Sequence, residues 1–146
     1  MYPLKSGPAY RGGEEGSSRI LHILLVEDHA DTRRGMELFL QVLGHRTQVA
    51  VGVQAALDLA TSSDTRFDLL LSDLWLPDGN GWDLLRRLEE AGCRPLRAIA
   101  ISGWSSEGDI AKSKNAGFRD HLVKPVSPRT LEAVLAKAAE DMKGPP

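Results

Sequence analysis

The sequence predicts an α/β protein: a doubly wound, five-stranded parallel sheet with helices on both faces. Three observations predict it. Short apolar runs alternate five times with longer helical patterns, the mark of repeated strand–helix units. The runs are apolar without a break, as strands buried on both faces are. Polar residues then collect just beyond the runs, where such a sheet gathers its functional groups.

The elements follow in order. Ile20–Val26 is a short apolar run with β-branched residues and reads as the first strand. Thr32–Leu43 carries Met36, Phe39, Leu40 and Leu43 at helical spacing, with Asp31 placed to cap it and Gly44 to end it. His45–Val51 suits a second strand, and Val53–Ala60, rich in Ala and Leu, a second helix. Phe67–Leu71 is the third strand and runs into Ser72-Asp73. Leu76-Pro77-Asp78-Gly79-Asn80-Gly81 is a dense loop signal. Trp82–Ala91 forms the third helix, closed by Gly92, and Arg97–Ile101 the fourth strand, ending in Ser102-Gly103. Ser105 or Ser106 caps a fourth helix that reaches Asn115 and closes at Gly117. Phe118–Val123 is the fifth strand. Ser127-Pro128 opens the last helix, with proline in its first turn, and the helix runs to Lys143.

Composition bounds the function. The 146 residues are 42% hydrophobic and 26% charged, which describes one globular domain able to bury a core. A net charge of −2 exerts no general pull toward nucleic acid or anionic membrane. Cys93 is the single cysteine, so neither an intramolecular disulfide nor a cysteine metal cluster can form. Met1–Ser18 mixes Gly, Ser, Pro and charge, has no apolar signal core, and reads as a flexible tail or interdomain linker preceding a domain at 19–143. No membrane contact is expected of this segment, and a cytoplasmic location is.

The strand ends carry the chemistry. The first ends in Glu27-Asp28, the third in Asp73, the fourth in Ser102 and the fifth in Lys124-Pro125. One strand-end Asp would mean little, because helix capping uses the same residue. Four polar ends on strands expected to be neighbours make a constellation. Three carboxylates in one crevice repel one another unless a cation joins them. Oxygen ligation with few protein ligands suits Mg²⁺, which keeps several waters. A carboxylate beside a divalent ion and the Lys124 ammonium is well placed to attack phosphorus, with the cations neutralising the transferring group. The Ser102 hydroxyl can donate to a phosphoryl oxygen.

These residues resemble the receiver domains of two-component response regulators, especially receivers of hybrid sensor histidine kinases. The likeness spans about Ile20 to Met142. It rests on Leu25-Val26-Glu27-Asp28, Asp73-Leu74-Trp75-Leu76-Pro77 with Gly81, Ile101-Ser102-Gly103 and Lys124-Pro125, and on the stretch His121–Val126. The resemblance implies a flavodoxin-like (βα)5 fold with strand order 2-1-3-4-5. It implies that Asp73 accepts a phosphoryl group from a phosphohistidine of a sensor histidine kinase or a histidine phosphotransfer domain. Asp28, Asp73 and the backbone carbonyl of Trp75 would bind Mg²⁺, and Glu27 would act through a metal-bound water. Lys124 would pair with the phosphoryl group, Lys124–Pro125 would be cis, and Ser102 would be the switch hydroxyl that reshapes the face made by the fourth helix, fifth strand and fifth helix. The module would signal rather than turn over substrate, apart from its own phosphorylation and dephosphorylation, and a kinase domain attached elsewhere in the protein is a candidate partner.

The chain departs from the pattern in two places. His121 stands where the family's switch aromatic is often Tyr or Phe; it is either a surface histidine or the switch. Trp75 and Trp104 are bulky where many receivers carry smaller polar groups, and both are expected to overhang the site and limit water access. The plainer assignments are a solvated face for Arg86-Arg87 and Glu89-Glu90, packing for Trp82, an incidental Cys93, and surface positions for His29 and His45; His22 sits in the first strand without an evident partner. Two other readings remain beside the receiver: an interaction module with little phosphorylation, and a Mg²⁺-dependent phosphatase of the haloacid-dehalogenase type. The second wants another Asp two residues after its nucleophile, and Trp75 stands there. A flavodoxin-like cofactor binder would need a phosphate loop after the first strand, where Glu27-Asp28 would repel phosphate.

Overall fold

In the computed structural model, residues 19–62, 64, 66–103 and 105–142 are described. The predicted tail, Met1–Ser18, lies outside them, as do Trp104 and Lys143. Five strands form one parallel sheet: β1 (His22–Val26), β2 (Arg46–Ala50), β3 (Leu69–Asp73), β4 (Arg97–Ser102) and β5 (Asp120–Val123). Their spatial order is β2-β1-β3-β4-β5. Each strand is followed by a helix: α1 (Ala30–Val42), α2 (Val53–Ser62), α3 (Gly81–Glu90), α4 (Glu107–Ala116) and α5 (Pro128–Asp141). The flavodoxin-like (βα)5 architecture is thus the observed one. No helix among the described residues is long and apolar enough to cross a membrane.

The unbroken apolar strands are explained by two cores. In β1, Leu24 and Val26 join Leu70, Leu74, Leu84, Leu85 and Leu88 on the face covered by α2 and α3. Ile23 and Leu25 point the other way, into Leu40, Leu69, Leu71, Ile99, Leu131 and Leu135, covered by α1 and α5. Successive residues of a strand face opposite sides, so both parities must be apolar.

Boundaries moved where local hydrogen bonds outweighed the residue pattern. Helix α1 starts two residues earlier than its apolar spacing predicts. His29, not Asp31, is its N-cap: the imidazole accepts from the Thr32 N–H. Asp31 instead lies in the first turn, where its charge suits the helix dipole. Ile20 is exposed and stays outside β1, and β5 begins at Asp120 rather than Phe118. His45 is half-buried rather than superficial: its Nδ1 accepts the Leu21 N–H at 3.0 Å, and burial lowers its pKa. His22 is buried against Phe67, with Nε2 3.0 Å from the Gln48 side-chain amide. On α3, Arg86 pairs with Glu90 at 2.9 Å and with Asp83, so the solvated ion-paired face is present.

Helix α4 packs differently from the rest. Its sequence, EGDIAKSKNA, offers Ile110 as its one large apolar residue, and that side chain is exposed. The buried residue of α4 is Ser113. A capping box between Ser106 and Asp109 starts the helix, and Gly117, with φ 110°, ends it.

Gly81 marks the tightest contact beneath the site. A Cβ there would lie 2.9 Å from the Asp73 carbonyl oxygen, a backbone atom that cannot swing away. Gly81→Ala is therefore expected to destabilise the fold by about 1–3 kcal/mol through overpacking, read as a lower urea midpoint with an unchanged slope.

Candidate functional site

Glu27, Asp28 and Asp73 meet at the carboxyl edge of the sheet, because β1 and β3 are adjacent in parallel register, Val26 beside Ser72. One carboxylate oxygen from each lies within 4.8 Å of the other two. Glu27 and Asp73 are 2% and 6% exposed, whereas Asp28 is open to solvent. Lys124 enters from the end of β5, with its Nζ 2.8 Å from Glu27 Oε1 and 2.8 Å from Asp73 Oδ2. The Lys124–Pro125 peptide bond is cis. The Lys124 N–H donates to the Ser102 carbonyl at 2.8 Å, which anchors the lysine backbone to the end of β4. Ser102 itself is fully buried.

Backbone contacts hold the acidic pair. The Glu27 N–H donates to Ala50 O at 3.0 Å, and its Oε2 accepts from the His29 N–H at 3.0 Å. Arg33 donates to the carbonyls of Glu27 and Asp28 at 3.1 and 3.3 Å. The Leu74 N–H donates to Ile101 O at 3.0 Å, so the backbone just past Asp73 is still tied to β4.

The electrostatics are unbalanced. Burial pushes the Asp73 carboxyl above its ordinary range, Lys124 pulls it back through a hydrogen bond and charge, and Glu27 pushes it up again; the outcome is upward. At Lys124, burial works against the ammonium, but Asp73 and Glu27 together outweigh it and raise the pKa. One cation faces two buried carboxylates, and their summed attraction outweighs its burial. The donor set is made of hard oxygens with one open member, Asp28. That fits Mg²⁺, an oxygen-seeking ion that keeps part of its water shell.

Contacts unforeseen in the sequence extend from the loop after Asp73 toward β5. Trp75–Leu76 and Gly79–Asn80 pair as a two-residue antiparallel ladder, so the predicted loop is a small hairpin. The Trp75 ring is half-exposed and meets Trp82 edge-on, centroids 5.3 Å apart. Trp82 Nε1 donates to Ser113 Oγ at 2.8 Å, and Lys112 Nζ lies 4.3 Å from the Trp82 ring centre. Ser113 Oγ is 2.8 Å from His121 Nδ1, and His121 Nε2 is 2.6 Å from Ser105 Oγ. Two proton assignments satisfy the set: Ser113 accepts from Trp82 and donates to Nδ1 while Nε2–H donates to Ser105, or Ser113 accepts from both Trp82 and Nδ1–H while Ser105 donates to Nε2. Burial lowers the His121 pKa, against a smaller upward pull from Asp109. Trp82 is therefore more than packing, and His121 is half-buried. Trp104 lies outside the described residues.

The family model for the response regulator receiver domain matches residues 23–136. The chain belongs to this family. This receiver is 34% identical over 112 residues to an uncharacterized 14.6 kDa protein of Leptolyngbya boryana, covering 76% of the chain and 84% of that protein. It is 32% identical to the transcriptional regulatory protein AfsQ1 of Streptomyces coelicolor over 76% of the chain but 48% of AfsQ1. It is 29% identical to the sensory/regulatory protein RpfC of Xanthomonas campestris over 83% of the chain and 17% of RpfC. The receiver thus spans about half, or far less, of the length of these last two relatives. Among solved structures, the CheY-like receiver domain protein of Methanospirillum hungatei superposes with a TM-score of 0.74 at 27% identity, covering 87% of this chain and all of that one.

Two outcomes test the site's energetics. Asp73 has a raised folded pKa, so its ionised form opposes folding above that pKa, and its contribution to stability fades as pH rises through the raised value. Asp73→Asn should therefore raise the Tm at pH 7 in the presence of a chelator, as read by thermal denaturation. Ser113→Ala leaves the Trp82 N–H and His121 Nδ1 without their shared partner and should cost about 1–3 kcal/mol by urea denaturation.

Proposed function

We propose that this receiver accepts a phosphoryl group on Asp73 from a phosphohistidine donor in a Mg²⁺-dependent phosphorelay, with residues 19–143 as the working unit and 1–18 as a tail or interdomain linker. The observation that carries the reading is the sharing of one ammonium, Lys124, between two buried carboxylates whose third neighbour, Asp28, faces solvent. Asp28, Asp73 and the Trp75 carbonyl would hold the metal, and Glu27 would reach it through water. Bound Mg²⁺ would offset negative charge on the transferring group. An Asp73 carboxylate oxygen attacks phosphorus, and the bond from phosphorus to the donor imidazole nitrogen breaks. Lys124 leaves its contact with Asp73 to pair with the new phosphoryl oxygens. Ser102, at the end of β4, would donate its hydroxyl to the same group.

The donor would be a sensor histidine kinase or a histidine phosphotransfer domain. An apolar groove lined by Thr32, Met36, Ile101, Pro125, Val126 and Leu131 opens directly beside Lys124 and would accept the donor's helix. A kinase domain attached to this receiver is one form such a partner could take. The output would pass through α4, β5 and α5. Here His121 would act as a polar switch: a shift of the β4–α4 loop toward Ser102 pulls on Ser105, and so on the ring that holds Ser113 and α4.

Incubation with Mg²⁺ and acetyl phosphate should add one phosphoryl group to the intact mass of the protein, and none to Asp73→Asn. Beryllofluoride with Mg²⁺ should change the tryptophan fluorescence. Mg²⁺ binding without either response would sink the reading. Trp75→Asn should shorten the life of the phosphorylated form, followed as release of inorganic phosphate; an unchanged rate would remove Trp75 as a shield against water.

A further inference from the structure

The hairpin that follows Asp73 is held at both ends. At its base, Asn80 Oδ1 accepts the Asp83 N–H at 2.8 Å and caps α3, while the Gly81 N–H donates to Leu74 O at 2.9 Å. At its tip, the Asp78 carboxylate accepts the N–H groups of Val53 and Gln54 at 2.7 and 3.0 Å. These are the first two residues of α2. The residue before them, Gly52, has no side chain to cap the helix, so a carboxylate 25 residues later in the chain does it. The surroundings are shaped for this contact. A Cβ on Gly52 would lie 2.5 Å from Asp78 Oδ1, and one on Gly79 would lie 3.0 Å from Val53 Cγ2. The Gln54 and Val53 amides hold the Asp78 carboxyl below its usual pKa, so it stays ionised at neutral pH.

We propose that Asp78 is a positioning residue for metal binding: by fastening the hairpin tip to the start of α2, it fixes the Trp75 backbone carbonyl beside the Glu27–Asp28–Asp73 cluster. A ladder of two residue pairs, Trp75 with Asn80 and Leu76 with Gly79, has little stability of its own. Held at its base alone, it would move, and metal binding would have to order it. Held at both ends, the segment that carries the carbonyl is ordered before any metal binds. The inference rests on the Mg²⁺ reading above. It adds a consequence of its own: coupling runs in both directions, so the metal should tighten the first turn of α2.

The test is a Mg²⁺ titration of the full chain, followed by tryptophan fluorescence and by calorimetry, with amide hydrogen exchange read with and without Mg²⁺. Asp78→Ala should bind Mg²⁺ about five- to tenfold more weakly, the size expected when the loss of one helix cap appears as loop disorder. Gly52→Ala, which displaces the carboxylate without removing it, should act in the same direction. Mg²⁺ should slow exchange at Val53 and Gln54 in the wild type but not in Asp78→Ala. His45→Ala removes a comparable hydrogen bond at the opposite edge of the sheet and should lower the Tm while leaving Mg²⁺ affinity unchanged. Wild-type affinity in Asp78→Ala, or an equal loss in His45→Ala, would overturn the proposal and leave the metal reading intact. Failure of the wild type to bind Mg²⁺ would overturn both.

Discussion

The Lys124 ammonium lies 2.8 Å from both Glu27 and Asp73, two carboxylates that are almost wholly buried. Two buried acids share one base, which leaves the contact short of positive charge where little water reaches. Such a shortfall costs stability unless further cations or donors reach it. Asp28 adds a third carboxylate at the mouth of the crevice. The site is thus built short of positive charge. The architecture around it serves this arrangement: parallel strands bring all the polar ends to one edge, and backbone N–H groups hold the carboxylates in place.

Of the helices around this edge, α4 has the most polar seat. Helices α1, α2, α3 and α5 are each seated by buried leucine, valine or alanine side chains. Helix α4 is seated through Ala116, which packs against the core, and through Ser113, which links Trp82 on α3 to His121 on β5. The hairpin after Asp73 is likewise held by hydrogen bonds, with Asp78 and Asn80 fastening it to the starts of two helices.

Much of this was legible in the residues. The five apolar runs, their order and the glycine stops of α1, α3 and α4 come from patterns within a few residues of one another. So do Glu27-Asp28, Asp73, Ser102 and Lys124, because each follows a strand directly. The errors arose where a side chain competed with the pattern. Asp31 is the better capping residue type, yet His29 occupies the cap because the chain leaves β1 in an extended conformation there, with its N–H bound to Glu27. His45 has the composition of a surface turn but accepts a backbone bond from Leu21, across 24 residues. The sequence offers Ser105 only as a helix cap and gives Ser113 no role, since nothing in a helix of low apolar content announces that its serine points inward.

By itself the sequence determined the fold class, the strand ends and the identity of the acidic and basic groups, because periodicity and strand termination are local properties of a chain. Only the tertiary structure decided which of those groups are in contact, that one lysine serves two acids, that Asp78 caps a helix 25 residues upstream, and that His121 is held between two serines. Those facts depend on distances of about 3 Å between residues far apart in the chain, set by strand register and helix packing together. No local pattern encodes them.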